Sequence, residues 1–158
     1  MASSNSITGA RFTETSADRK FALGTISESD DGTVWQYVQA SAAVNIYDFV
    51  GISEAYTIAQ GTHLTLTVAK PMAVGCAQVA FAINEYGWVC RQGTFTGNIK
   101  TLAVANTKLL SVNGTAGYLD DTGTATVLGV RCLTTVGGAD AATACFSADM
   151  MISGAAAT

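Results

Sequence analysis

The stretch VGCAQVAFAINEYGWVCRQG, residues 74–93, decides how the chain is read. Apolar residues run up to a polar tip at Asn84 and Glu85, and Tyr86, Trp88, Cys90 and Arg91 follow at once. Val79 and Phe81 share one face of the first half, and Tyr86 and Trp88 share one face of the second. Such period-two alternation on both sides of a turn is the mark of a β-hairpin. A tip at Asn84-Glu85 sets a register in which Cys76 and Cys90 do not face each other. Two thiols and two aromatics this close also suggest a reactive site. The rest of the chain is therefore read for chemistry that would use them.

Working outward, the same strand signal repeats. FALGTISE leads into SDDGT, an Asp-Gly turn, and TVWQYVQA returns with Trp35 and Tyr37 on one face. YDFVGIS, AYTIAQ and THLTLTVA follow, the last with Leu64, Leu66 and Val68 opposed to Thr65 and Thr67. Beyond the central hairpin come NIKTLAV, TKLLSVN, AGYLDD, TVLGVRCLTTV and TACFSADMMIS. The single proline, Pro71, suits a strand start or a sheet edge. Helical spacing is confined to a short piece within residues 41–47 or 99–106. The expected fold is all-β: a compact antiparallel β-barrel or sandwich with an extended N-terminal arm. Residues 1–20 lack either periodicity and read as a flexible arm carrying isolated Ile7 and Phe12 with Arg11, Arg19 and Lys20. Residues 21–158 read as a single β domain.

Composition narrows the function. A chain of 158 residues fits one domain. Charged residues make up 13%, against roughly 25% in typical globular domains. Ala, Thr, Ser and Gly fill the difference, leaving a weakly solvated surface that implies cover by copies of the chain or by a larger partner. The net charge of −4 comes without a basic stripe, which argues against nucleic acid as a partner. No apolar run reaches the roughly 18 residues of a membrane helix, and residues 1–20 lack the apolar core of a signal peptide. The chain is thus expected to be made in a reducing cytoplasm, where cysteines need no disulfide framework.

Candidate chemistry is sparse. Cys76, Cys90, Cys132 and Cys145 show no CxxC spacing, and the one histidine is His63, so no metal site is expected. The four thiols read as small buried hydrophobes. If residues 136–141 form a symmetric hairpin end, Cys132 and Cys145 face each other across it. His63 sits in an alternating strand and the chain has no GxSxG, so no catalytic residue is assigned. The doublets Asp30-Asp31 and Asp120-Asp121 each precede a glycine and read as turns. No phosphate loop is present and no cofactor is expected. Trp35, Tyr37, Tyr86 and Trp88 are either a carbohydrate platform or aromatics filling the core or a subunit contact; the second reading is preferred.

ALGTISESDDGTVWQYVQA, PMAVGCAQVAFAINEYGWVCRQG and GYLDDTGTATVLGVR, in this order, resemble a family of capsid decoration, or cement, proteins of tailed phages. The similarity spans about residues 21–152, and the central hairpin is its most specific part. The cysteines and residues 1–20 lie outside the pattern. The resemblance implies a non-enzymatic homotrimer on the outer surface of a virion, bound to the major capsid protein and bracing it. Ile7, Arg11 and Phe12 are then expected to contact the capsid, as an arm that adds a strand to an exposed edge. Another class stays open, a receptor- or glycan-binding module of a phage tail or fibre.

Overall fold

Ten strands form among the described residues, and no helix. The computed structural model describes residues 9–61, 73–101, 103–106, 108–111, 115–122 and 125–152. The strands are β1 (Ile26–Glu28), β2 (Val34–Ala40), β3 (Phe49–Ile52), β4 (Thr57–Gln60), β5 (Ala73–Ala77), β6 (Tyr86–Ile99), β7 (Lys108–Ser111), β8 (Leu119–Asp120), β9 (Ala125–Cys132) and β10 (Ala141–Ile152). The all-β expectation holds. The strand expected in THLTLTVA, with His63, lies outside the described residues, as does Ile7.

The sheet closes on itself. Strands β2, β4, β3, β5 and β6 pair in that order, and β6 returns to β2, which makes a closed five-stranded barrel. The remaining strands run from β6 through β10, β9 and β7 to β8, and Ile99 of β6 lies opposite Leu119 of β8. Strand β6 therefore serves both halves: residues 86–92 face β2 and residues 93–99 face β10. The exchange falls at Gly93, where φ is 99° and a Cβ would meet Thr33 at 2.9 Å. A side chain there would be strained in conformation and blocked in space.

Alternation gives β2 two buried faces. Val38 and Ala40 join Val50, Ile52, Ile58, Ala73, Ala77 and Val89 inside the barrel. Trp35 and Tyr37 turn to the other side, into a second core shared with β6, β9 and β10. A strand covered on both faces needs an outer layer, and here part of that layer comes from upstream of β1.

Residues 9–20 supply it, which corrects the expectation of a flexible arm for this segment. Ala10 and Phe12 are fully buried in the second core. Ser16 and Tyr86 exchange backbone hydrogen bonds of 2.9 and 2.8 Å. The cause is the bare aromatic face of β2 and β6, which binds an apolar side chain more strongly than water does.

Two further expectations are corrected. The segment within 41–47 forms a turn in which Tyr47 has φ 68°, and Asn106 has φ 64°, so neither helical candidate forms. The central hairpin has a longer connection than a two-residue tip. Phe81 leaves the β5–β6 ladder to bond Val44 (N···O 2.9 and 3.0 Å) and cap the barrel interior. The register shifts accordingly, and Cys76 lies directly opposite Cys90.

The β1–β2 turn is built as the Asp-Gly signal implied. The Asp31 carboxylate accepts from Ser29 Oγ and from the Thr33 backbone N–H (2.9 Å), and Gly32 has φ 80°. These bonds, the Ser29 hydroxyl foremost, hold the Asp31 carboxyl below its ordinary value of 3.8. A depressed folded-state pKa means the stabilisation is present above that ordinary value and is lost as pH falls through the folded one. Melting curves of wild type and Asp31→Asn should differ at pH 7, and the difference should shrink as pH falls below the ordinary Asp value.

Candidate functional site

The residues singled out in the sequence converge where residues 9–20 cross β2 and β6. Phe12 stacks on Trp35, with centroids 4.8 Å apart and planes 5° from parallel. It meets Trp88 edge-on at 5.3 Å. Trp88 in turn meets Tyr37 at 5.1 Å and Phe21 at 5.3 Å, and Tyr86 lies 6.4 Å from Tyr37. Offset and edge contacts at these separations each add about 0.5–1.5 kcal/mol beyond area burial.

Strand pairing places the set. Tyr37 lies opposite Trp88 and Gln39 opposite Tyr86 in the antiparallel β2–β6 ladder. Side chains two apart share a face, so Trp35, Tyr37, Tyr86 and Trp88 form one surface. Trp35, Tyr37 and Trp88 are buried, and Tyr86 is half-buried. The Trp35 ring is stacked against Phe12, and Trp88 is packed edge-on by Phe12, Phe21 and Tyr37. Trp35, Tyr37 and Trp88 belong to the core, and half-buried Tyr86 packs against it.

Phe12 was expected on a capsid, and this is corrected: it is 0% exposed within its own domain. Arg11 is exposed, with its guanidinium 2.7 Å from Glu14. Beside them opens a cleft of about 320 Å³, walled by Phe21, Tyr37, Tyr86 and Trp88 and rimmed by Arg11, Glu14 and Lys20. The Lys20 backbone N–H donates to the Tyr37 hydroxyl at 3.0 Å, which fixes the far end of the segment.

Asp48 was missed. It sits between apolar runs in YDFVG, and its carboxylate is buried at 1% exposure. Oδ1 accepts from Asn98 Nδ2 at 2.9 Å; Oδ2 accepts from Gln60 Nε2 at 2.5 Å and from the Asn45 N–H at 3.0 Å. Gly117 has φ 80° and lies so close that a Cβ there would collide with the Asp48 carboxyl group. The only local signal was an aspartate three residues after Asn45, suited to a turn.

A second surface was also unforeseen. On β10, Cys145 and Ser147 point inward while Ala142, Ala144, Phe146 and Ala148 are exposed. Gly129 and Arg131 of β9, and Leu133 just beyond its end, extend this strip, with the Arg131 guanidinium 6.0 Å from the Phe146 ring centre. Phe146 and Leu133 are 36% and 39% exposed, so the sheet presents an apolar, small-residue face to solvent.

The four cysteines are free thiols and fully buried, as small hydrophobes should be. Among the described residues no group of three or more His, Cys, Asp or Glu side chains is arranged to hold a metal. No protein-family model matches the chain, and no curated protein matches its sequence. Fold and site together define a closed all-β barrel domain with an aromatic seat for its own N-terminal segment and an open apolar sheet face.

Proposed function

We propose that this chain is a phage head decoration protein. It binds the outer surface of the capsid as a homotrimer and stabilises contacts between subunits of the major capsid protein. The observation that carries this reading is the exposed β9–β10 face, Leu133, Phe146, Ala142, Ala144 and Ala148, in a chain with 13% charged residues. A flat face of small side chains around one aromatic anchor suits close sheet packing against another copy or a capsid subunit. The similarity of the central hairpin to cement proteins gives the same direction.

Three copies on a symmetric lattice multiply weak contacts, because each bound subunit raises the effective concentration of the next. With Phe12 committed to the domain, the residues left for capsid contact by this segment are Ile7 and exposed Arg11. The protein then acts on the virion surface after synthesis in the host cytoplasm. It takes no cofactor and performs no catalysis, and it binds neither nucleic acid nor membrane.

The test is decoration of heads lacking this protein, with solution mass measured in parallel. Wild type should run near three times 16.2 kDa and saturate the heads. The double variant Leu133→Asp/Phe146→Asp should fold, and should lose trimerisation or at least about tenfold in head affinity, a cost of roughly 1.4 kcal/mol. Removal of residues 2–8 should weaken binding without unfolding the domain. A wild-type monomer that leaves heads bare would overturn the reading.

A further inference from the structure

We propose that Cys132 and Cys145 are a disulfide site, closed when the folded protein meets an oxidising medium. The inference does not depend on the proposed function. Cys132 ends β9, Cys145 lies directly opposite it on β10, and both side chains enter the same core. The neighbouring Leu133 N–H donates to the Ala144 carbonyl at 2.8 Å. Ladder bonds alternate along an antiparallel pair, so the Cys132–Cys145 pair occupies a non-hydrogen-bonded position. There the Cα atoms stand about 4.5 Å apart and the side chains approach most closely. A disulfide spans Cα separations of roughly 4.4–6.8 Å.

The other facing pair is less suited. Cys76 Sγ contacts the Thr96 carbonyl at 3.3 Å and the Tyr47 carbonyl at 3.5 Å, and Gln78 Nε2 donates to it at 3.4 Å. These contacts tie that thiol into a polar cluster in mid-sheet. Cys132 Sγ contacts the Val104 carbonyl at 3.3 Å and Cys145 Sγ the Thr143 carbonyl at 3.5 Å, and among the described residues no side-chain amide donates to either thiol. They also flank an exposed connection, residues 133–140, in which Val136 alone is buried. Fraying of that connection admits an oxidant at the strand end.

The reaction is thiol–disulfide exchange with a small-molecule disulfide. One thiolate attacks a sulfur of the oxidant and releases its first thiol. The second cysteine then attacks the mixed disulfide and releases the other. Two protein thiols are oxidised, one oxidant disulfide is reduced, and the two thiol protons end on the two released thiols. Burial raises both protein thiols, Cys145 to about 12, so the thiolate is scarce at neutral pH and closure accelerates as pH rises.

The experiment treats the reduced full-length protein with oxidised glutathione at pH 7 and pH 9, alkylates the remaining thiols and maps peptides. The expected result is loss of two hydrogens' mass and two alkylated cysteines, Cys76 and Cys90. A linked peptide should join Cys132 to Cys145, forming faster at pH 9. The melting temperature should rise by about 5 °C. The Cys76→Ala/Cys90→Ala variant should form the same link, and Cys145→Ala should not. Four alkylatable thiols after treatment, a persisting glutathione adduct, or a link between Cys76 and Cys90 would each overturn the proposal.

Discussion

Phe12→Ala lowers the unfolding free energy by about 3–5 kcal/mol, the range for emptying a fully buried phenylalanine site. Its ring is sandwiched by contacts to Trp35 and Trp88, so the loss combines transfer, cavity and aromatic terms. Urea titration followed by tryptophan fluorescence checks this, since both tryptophans border the cavity. A free arm predicts the opposite, a change within about 0.5 kcal/mol, as for surface positions in general. Phe12→Leu should recover most of the loss, because it restores apolar volume without the ring stacking. The outcome also fixes where the domain starts. If Phe12 is core, a truncation that removes it unfolds the protein and says nothing of capsid contact, whereas removal of residues 2–8 leaves the seat filled.

Asp48→Ala should cost a similar amount, about 3–5 kcal/mol. It removes the acceptor shared by the buried Asn98 amide, which keeps only its 3.2 Å bond to the Ile46 carbonyl, the half-buried Gln60 amide and the Asn45 N–H, and each bond lost at a buried donor carries about 1–3 kcal/mol. Asp48→Asn keeps shape and one acceptor oxygen, and should lose less than half as much. The defect should be global, because the carboxylate joins the start of β3 to β4 and to the far end of β6. Denaturant midpoints for the two variants, with unchanged slope, are the measurement. A silent Asp48→Ala would overturn the assignment of a structural role to this carboxylate.

How much was legible follows from the range of the forces. Turn chemistry is local, and the Asp30-Asp31-Gly32 hairpin formed as read because Asp31 reaches only Ser29 and Thr33. The central hairpin was half legible. Tyr86 and Trp88 share a face of β6 as expected, but β5 ends at Ala77, so Val79 and Phe81 lie beyond it, and the register depended on Phe81 leaving to bond Val44, a partner far back in the chain. The error over Cys76 and Cys90 came from that alone, whereas Cys132 and Cys145 faced each other as expected because only a short connection divides them. Asp48 was invisible because its three donors come from residues 45, 60 and 98, which no spacing rule connects.

By itself the sequence determined an all-β chain, the Asp-Gly turn between β1 and β2, and a set of aromatics alternating onto one face of two strands. These follow from period-two patterning and from backbone preferences at single residues. Tertiary structure alone decided that β6 is shared by two closures, that the aromatic face is roofed by Phe12 from the chain's own start, and that β9–β10 leaves its outer face bare. Which element covers which face is a contest among distant apolar surfaces for the same burial, and nothing local to Phe12 or Phe146 records who wins it.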